Sequence, residues 1–479
     1  MHDKPRLNRS GAAPKIGIVH LGPGAFFRAF NACYTHEVME KTGGDWGIVA
    51  VSLQSATARD QLEPQGGVFT SVTLEAEGWN PSQIGSIVRT FVAPEDPKSV
   101  IAAMADPNVK IVSMTITEKG YCVSPVTGEL DLDHPDIVHD LLNPNNPRTA
   151  VGFCVAALAA RRGVGIKPFT ILPCDNLPSN GTLARATIIK FARQLDRELA
   201  DWIAETTTFP STMVDRITPA TTQSDIDQLA DLTGYHDPAC VLHEGFRQWV
   251  IEDDFVDGHP AWDVGGAQFV ASVEAHEMMK LRCLNGTHST LAYLGYLAGY
   301  ETIADVVGDP DFAALCEILW RDEIIPTLIP PDGENLAAYC ASLSKRFENP
   351  AIQHRTWQIA MDGSQKLPQR LLGTIADNFD HGVQPSGLTL AVAGWMHYVG
   401  AIDENGDKID VRDPLSDTLK AASESGTTSA SKVTAFLELD EIFPKKLAHN
   451  ALFVEHVTQA YETLAKRGAK GAVRALISQ

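Results

Sequence analysis

The first half of the chain alternates short apolar runs with longer segments in which apolar residues recur every three or four positions. The apolar runs lie at 16–21, 46–53, 109–117 and 168–176. Runs of this length are typical of strands that are buried on both faces of a parallel sheet. The segments between them, such as 25–40 and 186–205, have the period of amphipathic helices. This alternation predicts an α/β domain with a largely parallel, doubly wound sheet.

After about residue 275 the pattern becomes helical and strand signals are scarce. Helices are predicted at 274–300, 312–325, 336–347, 388–399, 415–423, 432–439 and 450–467. One short hairpin is predicted within 398–411, because Asn405-Gly406 is a typical turn pair. We therefore expect an N-terminal Rossmann-like domain over 1–275 and a mainly α-helical C-terminal domain over 276–479.

Composition narrows the class of partner. The formal net charge is −21 over 479 residues. An acidic surface of this kind repels nucleic acid and anionic membranes, so neither is expected as a partner. A small anionic substrate stays possible, because a local cationic pocket can exist in an acidic protein.

Cysteine use and targeting signals indicate a cytoplasmic protein without a structural metal. The eight cysteines are scattered singly, with no CxxC pair and no cluster with histidine. We therefore expect reduced thiols, and we expect neither a zinc site nor a disulfide scaffold. The first 15 residues have no apolar stretch typical of a secretory signal, and no apolar run reaches the length of a membrane span.

The first predicted strand ends in a glycine-rich turn that contains Gly22 and Gly24. A dinucleotide pyrophosphate binds at a helix N-terminus only if no side chain of the preceding turn blocks it, and two glycines provide that clearance. Phe27 replaces the third glycine of the GxGxxG pattern, so an ordinary tight turn is the alternative.

The acid that commonly binds the ribose at the end of the second strand is absent. That strand leads into Ser52, Leu53 and Gln54, and Asp45 precedes the strand instead of following it. The residues themselves therefore leave NAD and NADP both open.

Polar residues interrupt the apolar segment 277–299. At about 100° per residue on an α-helix, Glu277, Lys280, Asn285 and His288 fall within an arc of roughly 140° that also holds leucines. A lysine among apolar groups loses hydration, which lowers its pKa and suits it to proton transfer. The Asn285 amide can stabilise an alkoxide, and His288 can orient the substrate or the lysine.

The alternative is a structural helix whose lysine reaches solvent and whose Asn and His are satisfied core groups. Gly286 costs about 1 kcal/mol in a helix interior. That cost is understandable if another backbone segment must approach closely or if the helix must kink there.

Two further polar elements are candidates. Asn176 ends a predicted parallel strand, at the edge where open α/β sheets bind ligands. Taken alone, the Asp175-Asn176 pair is better interpreted as a helix N-cap or an Asx-turn. Asp215 and Arg216 are compatible with a simple surface ion pair.

The motifs together resemble one family. In chain order they are "IVHLGPGAFFRA", "TITEKGY", "CDNLPSNG", "FPSTMVDRITP", "WVIEDDF", "MKLRCLNGTHSTLAYLG", "TWQIAMDGSQKLPQRLL" and "DVRDPLSD". This series resembles the mannitol dehydrogenase family of long-chain polyol dehydrogenases, from about residue 15 to about residue 470. The K-x4-N-x2-H pattern is specific to that family. The segments "TEKGYC", "TWQIAMDGSQKLPQR" and "VAGWMHYVGAID" resemble its fructuronate reductase branch.

The resemblance implies a zinc-independent, nicotinamide-dependent oxidoreductase in which Lys280 is the general acid/base. It implies that Asn285 and Asn176 hold the substrate oxygen, and that His288 and Asp215 bind substrate hydroxyls or orient the lysine. Glu277 corresponds to a proton relay between the site and water. The residues implied to line the cofactor are Gly22, Gly24, Ala25, Phe26, Thr117, Glu118 and Lys119.

Departures from the family pattern bear on the substrate. Gln358 occupies a substrate-contact position where mannitol dehydrogenases carry an arginine, which favours a substrate other than a hexitol. A substrate carboxylate would need a cation, and Lys366 and Arg370 are the candidates, with Arg216 as a third. Each could also be a surface or interdomain charge. His259 replaces the arginine of a "GRP" motif, with no assigned consequence.

The expected reaction is the reduction of D-fructuronate to D-mannonate with NAD as cofactor and NADP not excluded. The alternatives are a mannitol 2-dehydrogenase and a tagaturonate reductase. A different class, an NAD-binding regulator without turnover, is disfavoured by the complete lysine, asparagine and histidine set. A phosphotransferase is disfavoured because no GxxxxGK[ST] loop occurs. The expected partner is a small sugar acid or polyol, and the oligomeric state stays open, a monomer included.

Overall fold

The structure is a computed structural model that describes residues 4–75, 78–124 and 127–478. The chain divides into two compact units, the first ending at Glu274 and the second beginning at Ala275. Each unit is described by itself.

The first unit is built on strands and covering helices. Its strands are β1 (Ile16–Leu21), β2 (Gly47–Ser52), β3 (Phe69–Glu75), β4 (Gly78–Ile84), β5 (Ile87–Val92), β6 (Ile111–Met114), β7 (Thr170–Pro173), β8 (Thr212–Asp215), β9 (Val241–Glu244), β10 (Gln248–Glu252) and β11 (Gln268–Val270). Its helices are α1 (Ala25–Ala29), α2 (Asn31–Thr42), α3 (Thr57–Leu62), α4 (Pro97–Ala105), α5 (Pro135–Leu142), α6 (Ala150–Gly163), α7 (Asn180–Leu195), α8 (Arg197–Thr206) and α9 (Gln223–Thr233). Short 3₁₀ turns occur at Glu63–Gln65, Glu118–Tyr121 and Trp262–Gly265.

The main sheet is five-stranded and parallel, in the order β5-β2-β1-β6-β7. Alternate residues of one strand enter different cores, as Ile18 and Val19 of β1 do. Helices therefore cover both faces, which explains why these strands read as continuous apolar runs. The predicted Rossmann-like, doubly wound class is confirmed.

Two smaller sheets were not predicted. One has the order β4-β3-β9 and the other the order β11-β10-β8. In β4 every residue before Ile84 is at least partly exposed, and the strand contains Pro81. A polar, largely exposed edge strand of this kind has no apolar signal in the sequence.

The second unit is mainly helical, as predicted. Its α-helices are α10 (Glu274–Met279), which begins at the boundary, α11 (Thr287–Leu297), α12 (Ile303–Val307), α13 (Pro310–Ile318), α14 (Leu336–Phe347), α15 (Thr356–Ala360), α16 (Gly363–Leu367), α17 (Gly373–Asp380), α18 (Ser386–Tyr398), α19 (Ser416–Ser423), α20 (Ser429–Leu437), α21 (Lys445–Ala448) and α22 (Ala451–Ile477). Three segments are π-helical, namely π1 (Lys280–Gly286), π2 (Leu319–Ile324) and π3 (Pro368–Leu372). A 3₁₀ turn follows at Ile325–Thr327.

Several predicted helices differ in detail. The segment predicted as one helix over 25–40 is divided at Phe30, whose backbone is not helical. The predicted helix over 274–300 is interrupted by π1. The helix predicted to end at 467 continues as α22 beyond a kink at Gly468, where φ is +68°. The predicted hairpin near Gly406 reduces to a single bridge between Ile402 and Lys408.

Candidate active site

Three loops of the first unit begin at the same edge of the main sheet. Leu21 of β1 pairs with Met114 of β6, and Met114 pairs with Pro173 of β7. The loops that follow these residues therefore lie side by side at the carboxyl ends of the strands. The chain also reverses its strand order between β1 and β6, which is where doubly wound sheets bind ligands.

The turn after β1 has the clearance that a bound pyrophosphate needs. Gly22 has a φ of +92°, and a Cβ atom there would collide with the carbonyl oxygen of Thr115. At Gly24, by contrast, the nearest atom to an added Cβ is 4.0 Å away. Gly24 is exposed, and Ala25 and Phe26 in the first turn of α1 are half-buried. The first glycine is required by the backbone, and the second leaves the helix N-terminus open.

A buried histidine supports this turn, and the sequence did not single it out. His20 bonds through Nδ1 to Ser113 Oγ at 2.8 Å and through Nε2 to Thr115 Oγ1 at 3.0 Å. Phe27, at the position of the missing third glycine, stacks on the His20 ring with centroids 3.5 Å apart. Burial lowers the pKa of His20 to about 3, so the ring is neutral. The stacked pair fills the space that closer helix–strand packing would occupy.

Asp175 holds the segment after β6 in an unusual conformation. Its Oδ1 accepts hydrogen bonds from the backbone N–H groups of Ile116 (2.6 Å) and Thr117 (2.8 Å), and its Oδ2 accepts one from the Tyr121 hydroxyl (2.7 Å). Thr117 has a φ of +65°, which is strained for a β-branched residue. Burial raises the pKa of Asp175, and these three bonds oppose that rise. Thr117, Glu118 and Lys119 are all exposed.

Asn180 ties the loop after β7 to β8. Its amide donates to the carbonyl oxygens of Asp175 (3.0 Å) and Thr212 (2.9 Å) and accepts from the Thr212 N–H. Asn176, the predicted substrate contact, is exposed in the loop between them. Asp215 is the last residue of β8 and is buried.

The interpretation of Asp215 and Arg216 as a surface ion pair is wrong. Asp215 is buried, and the Arg216 guanidinium donates to the carbonyl oxygens of Ala29 (2.6 Å) and Glu244 (3.1 Å). Ala29 ends α1, so the arginine caps the carboxyl end of that helix. Two of its N–H donors are used in this way, which gives Arg216 a structural role.

His259 also has a structural environment. Its ring lies 4.2 Å from that of Phe269 and 4.6 Å from that of Phe255, centroid to centroid. Its Nδ1 lies 2.7 Å from the Pro260 carbonyl oxygen. An aromatic cluster therefore explains the histidine in this motif.

In the second unit the candidate general acid/base lies on a π-helix. Lys280 begins π1 and is 7% exposed. Asn285 and Glu277 are half-buried, and His288 follows in α11. The arc calculated at 100° per residue is wrong for this segment, because a π-turn bonds i to i+5 and rotates less per residue. Such turns are frequent at functional sites.

Distant residues stabilise the wide turn. The Trp320 indole Nε1 donates to the Cys283 carbonyl oxygen at 3.0 Å. Arg282 donates to Thr327 Oγ1 at 2.7 Å and pairs with Asp377 at 2.6 Å. These partners lie in π2, the following 3₁₀ turn and α17, so tertiary contacts hold π1 in place.

Gly286 permits a close approach of two backbone segments. A Cβ atom at this position would lie 2.8 Å from the carbonyl oxygen of Arg370 in π3. The expectation that this glycine serves a close backbone approach is confirmed.

The surroundings of His288 are cationic. Its ring stacks on Phe347 at 5.2 Å and meets the edge of His354 at 4.6 Å between centroids. Burial and the charges of His354, Arg370, Arg346 and Lys366 hold the pKa of His288 well below its usual range. The imidazole is therefore neutral at pH 7.

Lys366 and Arg370 lie in this region, whereas Gln358 is exposed on α15. The Lys366 ammonium donates to the Met361 and Ile359 carbonyl oxygens at 2.5 and 3.3 Å, and burial lowers its pKa to about 8. Arg370 donates to Ser289 Oγ at 3.1 Å. His354, in the loop before α15, was not predicted, because a single loop histidine has no signal in one sequence.

Metal and membrane features are sparse. In residues 4–75, 78–124 and 127–478, no group of three or more His, Cys, Asp or Glu side chains could hold a metal ion. All eight cysteines are buried and free. Of the helices described, none has both the length and the hydropathy needed to cross a membrane.

Known proteins resemble this chain over almost its full length. Residues 16–264 match the model of the mannitol dehydrogenase Rossmann domain, and residues 272–465 match that of the mannitol dehydrogenase C-terminal domain. D-mannonate oxidoreductase of Escherichia coli K12 is 48% identical over 96% of this chain and 95% of its own length. A mannitol 2-dehydrogenase of Phaeosphaeria nodorum is 39% identical over 98% of this chain and 82% of its own length.

Solved structures show the same relationship. Mannitol 2-dehydrogenase of Pseudomonas fluorescens, in a ternary complex with NAD and D-mannitol, superposes with a TM-score of 0.87 at 36% identity. The superposition covers 100% of this chain and 98% of the mannitol 2-dehydrogenase chain. A substrate-free D-sorbitol dehydrogenase superposes with a TM-score of 0.89 at 33% identity. The superposition covers 96% of this chain and 95% of the D-sorbitol dehydrogenase chain. The chain belongs to the mannitol dehydrogenase family and is an oxidoreductase that acts on CH–OH groups.

Proposed function

We propose that this enzyme interconverts D-fructuronate and D-mannonate. The observation that carries the choice of a sugar acid is the state of Arg370. Its guanidinium is half-buried and donates to a serine hydroxyl, and within the described part of the chain no carboxylate lies at ion-pair distance from it. A half-buried charge without a counter-ion is less well solvated than one in water, and a substrate carboxylate would provide that counter-ion.

Three further observations favour a sugar acid over a hexitol. The Lys366 ammonium donates to backbone carbonyl oxygens, and in the described part of the chain no acid lies at ion-pair distance from it. The relative that is 48% identical is named as a D-mannonate oxidoreductase, and D-mannonate is a sugar acid with a carboxylate. Gln358 provides an uncharged amide where mannitol dehydrogenases place an arginine.

The proposed chemistry assigns tasks to the predicted residues. Lys280 donates a proton to the carbonyl oxygen in reduction and recovers it from the alcohol in oxidation. The amides of Asn285 and Asn176 donate hydrogen bonds to the oxygen as negative charge develops on it. Glu277 returns the proton from water to the lysine. Asp215 and His288 orient the substrate hydroxyls or the lysine.

The cofactor is proposed to bind the first unit at the edge where β1 and β6 end. Gly22, Gly24, Ala25 and Phe26 leave the N-terminus of α1 accessible, which suits a pyrophosphate. Thr117, Glu118 and Lys119 line the neighbouring loop. When bound, the reduced nicotinamide supplies the hydride that the carbonyl carbon accepts. NADH is proposed, and NADPH is the comparison in the assay.

The test is turnover by the purified enzyme. NADH or NADPH is mixed in turn with D-fructuronate, D-tagaturonate and D-fructose, and loss of the reduced cofactor's absorbance is followed. The proposal expects the largest kcat/KM for D-fructuronate with NADH. A preference for D-tagaturonate would mean that the substrate is this epimer of D-fructuronate. Brisk turnover of D-fructose alone would refute the proposal of a sugar-acid substrate. NADH binding without turnover of any of the three would indicate a regulator.

A pair of variants tests the acid/base assignment. Lys280→Ala is expected to lower kcat by several orders of magnitude while the Kd for NADH stays within about twofold. Lys420→Ala removes an exposed lysine of the same unit and is the matched control, expected to leave kcat unchanged. Substantial activity in Lys280→Ala would remove the lysine from the mechanism.

A further inference from the structure

A second histidine, His354, lies beside His288. The edge of the His354 ring meets His288 with a centroid distance of 4.6 Å and an interplanar angle of 73°. Among the residues that the structure describes, no group hydrogen-bonds to the buried His354 Nδ1 or to the buried His288 Nε2. Buried polar atoms of this kind are uncommon and each calls for an explanation, such as a ligand group.

The charge around the pair favours an anion. Lys366 acts electrostatically on both rings, and Arg370 and Arg346 act on His288. Burial lowers the pKa of His354 to about 4, with a smaller contribution from Lys366, so this ring is neutral at pH 7 as well. Two neutral imidazoles in a cationic field each offer one N–H donor.

The two acids that act on Lys366, Asp413 and Asp362, do not pair with His288 or His354 in the described part of the chain. Asp413 acts on Lys366, but its carboxylate accepts from the Ser364 N–H (2.8 Å) and hydroxyl (2.6 Å). Asp362 acts on the same lysine and is exposed. The two histidines therefore face positive charge without a paired acid on either of them among the residues that the structure describes.

We propose that His354 is a specificity residue for the substrate carboxylate, to which it and His288 each donate one ring N–H beside Lys366 and Arg370. This inference rests on the proposed function, since it names the part of the site that distinguishes a sugar acid from a polyol. The carboxylate lies at the far end of the substrate from the carbonyl carbon. His354 therefore contributes to binding in the ground state and the transition state alike, which changes KM more than kcat.

The test uses His354→Phe, which keeps an aromatic ring against His288 and removes the N–H, and His354→Asn, which restores a donor. Loss of one hydrogen bond to a charged group predicts a KM for D-fructuronate about 10- to 100-fold higher in His354→Phe, with kcat within about threefold. His354→Asn is expected to recover part of that loss. His397→Phe is the matched control, because His397 also stacks on an aromatic ring and contacts a backbone carbonyl, at Tyr461.

A binding measurement separates this inference from the proposed function. The Kd values of D-mannonate and D-mannitol for the NADH-loaded enzyme follow from the change in NADH fluorescence. In His354→Phe, D-mannonate should bind about 10- to 100-fold more weakly and D-mannitol within about twofold of the wild type. Equal losses for both ligands, or an unchanged KM, would overturn the role of His354.

The outcomes differ for the two proposals. If the wild type prefers D-tagaturonate, the same comparison is made with that acid, and the carboxylate role stands while the choice of epimer fails. If the wild type turns over D-fructuronate but His354→Phe matches it, only the role of His354 fails. If the wild type neither binds nor reduces either acid, both fail.

Discussion

Replacing Gly286 by alanine should destabilise the second unit, although alanine is the better helix former. In an unobstructed helix the change stabilises by roughly 0.5–1 kcal/mol. At Gly286 the new Cβ would lie 2.8 Å from the Arg370 carbonyl oxygen, so π1 and π3 must separate by about half an ångström to reach ordinary contact. Forced overpacking costs about 1–3 kcal/mol. The net expectation is a loss of about 1–2 kcal/mol.

Gly373 provides the matched control. It begins α17, and the nearest atom to an added Cβ is the Pro368 carbonyl oxygen at 3.8 Å, an ordinary contact. Gly373→Ala should therefore raise the free energy of unfolding by up to about 1 kcal/mol. The two substitutions have the same chemistry and opposite expected signs.

Calorimetry and kinetics measure the outcome. For a unit of this size the loss corresponds to a Tm about 2–8 °C lower for Gly286→Ala, and Gly373→Ala should raise the Tm. Because Lys280 and Asn285 lie on π1, a shift of this segment should also lower kcat by about tenfold. If Gly286→Ala raises the Tm as Gly373→Ala does and leaves kcat unchanged, the close approach does not constrain the site.

Two further predictions concern the first unit. Burial lowers the pKa of His243 from 6.5 to about 3, so this ring is neutral in the fold, and the unfolded chain takes up its proton first as the pH falls through 6.5. Its contribution to stability is therefore lost between pH 6.5 and 3, at about 1.4 kcal/mol per pH unit, and His243→Gln should flatten the fall in Tm between pH 6 and 4. His449→Gln, which replaces an exposed histidine, is the control and should leave the fall in Tm unchanged. If the wild type and both variants lose Tm equally between pH 6 and 4, His243 does not contribute to the pH dependence of stability. Asp175→Asn should raise the KM for NADH about tenfold, because an amide oxygen cannot replace both carboxylate oxygens that hold the Thr117 segment; a lower Tm with an unchanged KM would limit Asp175 to a structural role.

Part of the candidate site could be proposed from the sequence because its residues occupy fixed positions relative to predicted elements. Gly22 and Gly24 follow a strand whose two buried faces make it conspicuous. Lys280 and His288 were identified by their spacing within an apolar segment and by the family resemblance. In each case the signal is local, and the residue type itself carries the chemistry.

Other features could not be predicted because partners far away in the chain decide them. The period of the sequence does not distinguish an α-turn from the π-turn of π1. That turn is stabilised by later segments, because Trp320 donates to the Cys283 carbonyl oxygen and Arg282 donates to Thr327. Arg216 resembled a surface charge until the carbonyl oxygens of Ala29 and Glu244 accounted for its donors. His354 acquired significance only beside His288.

The sequence by itself determined the class of the protein: a parallel α/β unit followed by a helical unit, with motifs that resemble the mannitol dehydrogenase family. Burial of apolar side chains produces continuous apolar runs in strands that are covered on both faces and a period of 3.6 in helices, and both patterns can be read without any tertiary contact. Only the tertiary structure decided which carbonyls, rings and charges surround each polar group. Those neighbours set whether a histidine is neutral, whether an arginine is already used as a cap, and how closely two helices approach, because hydrogen bonding and desolvation depend on distance in space.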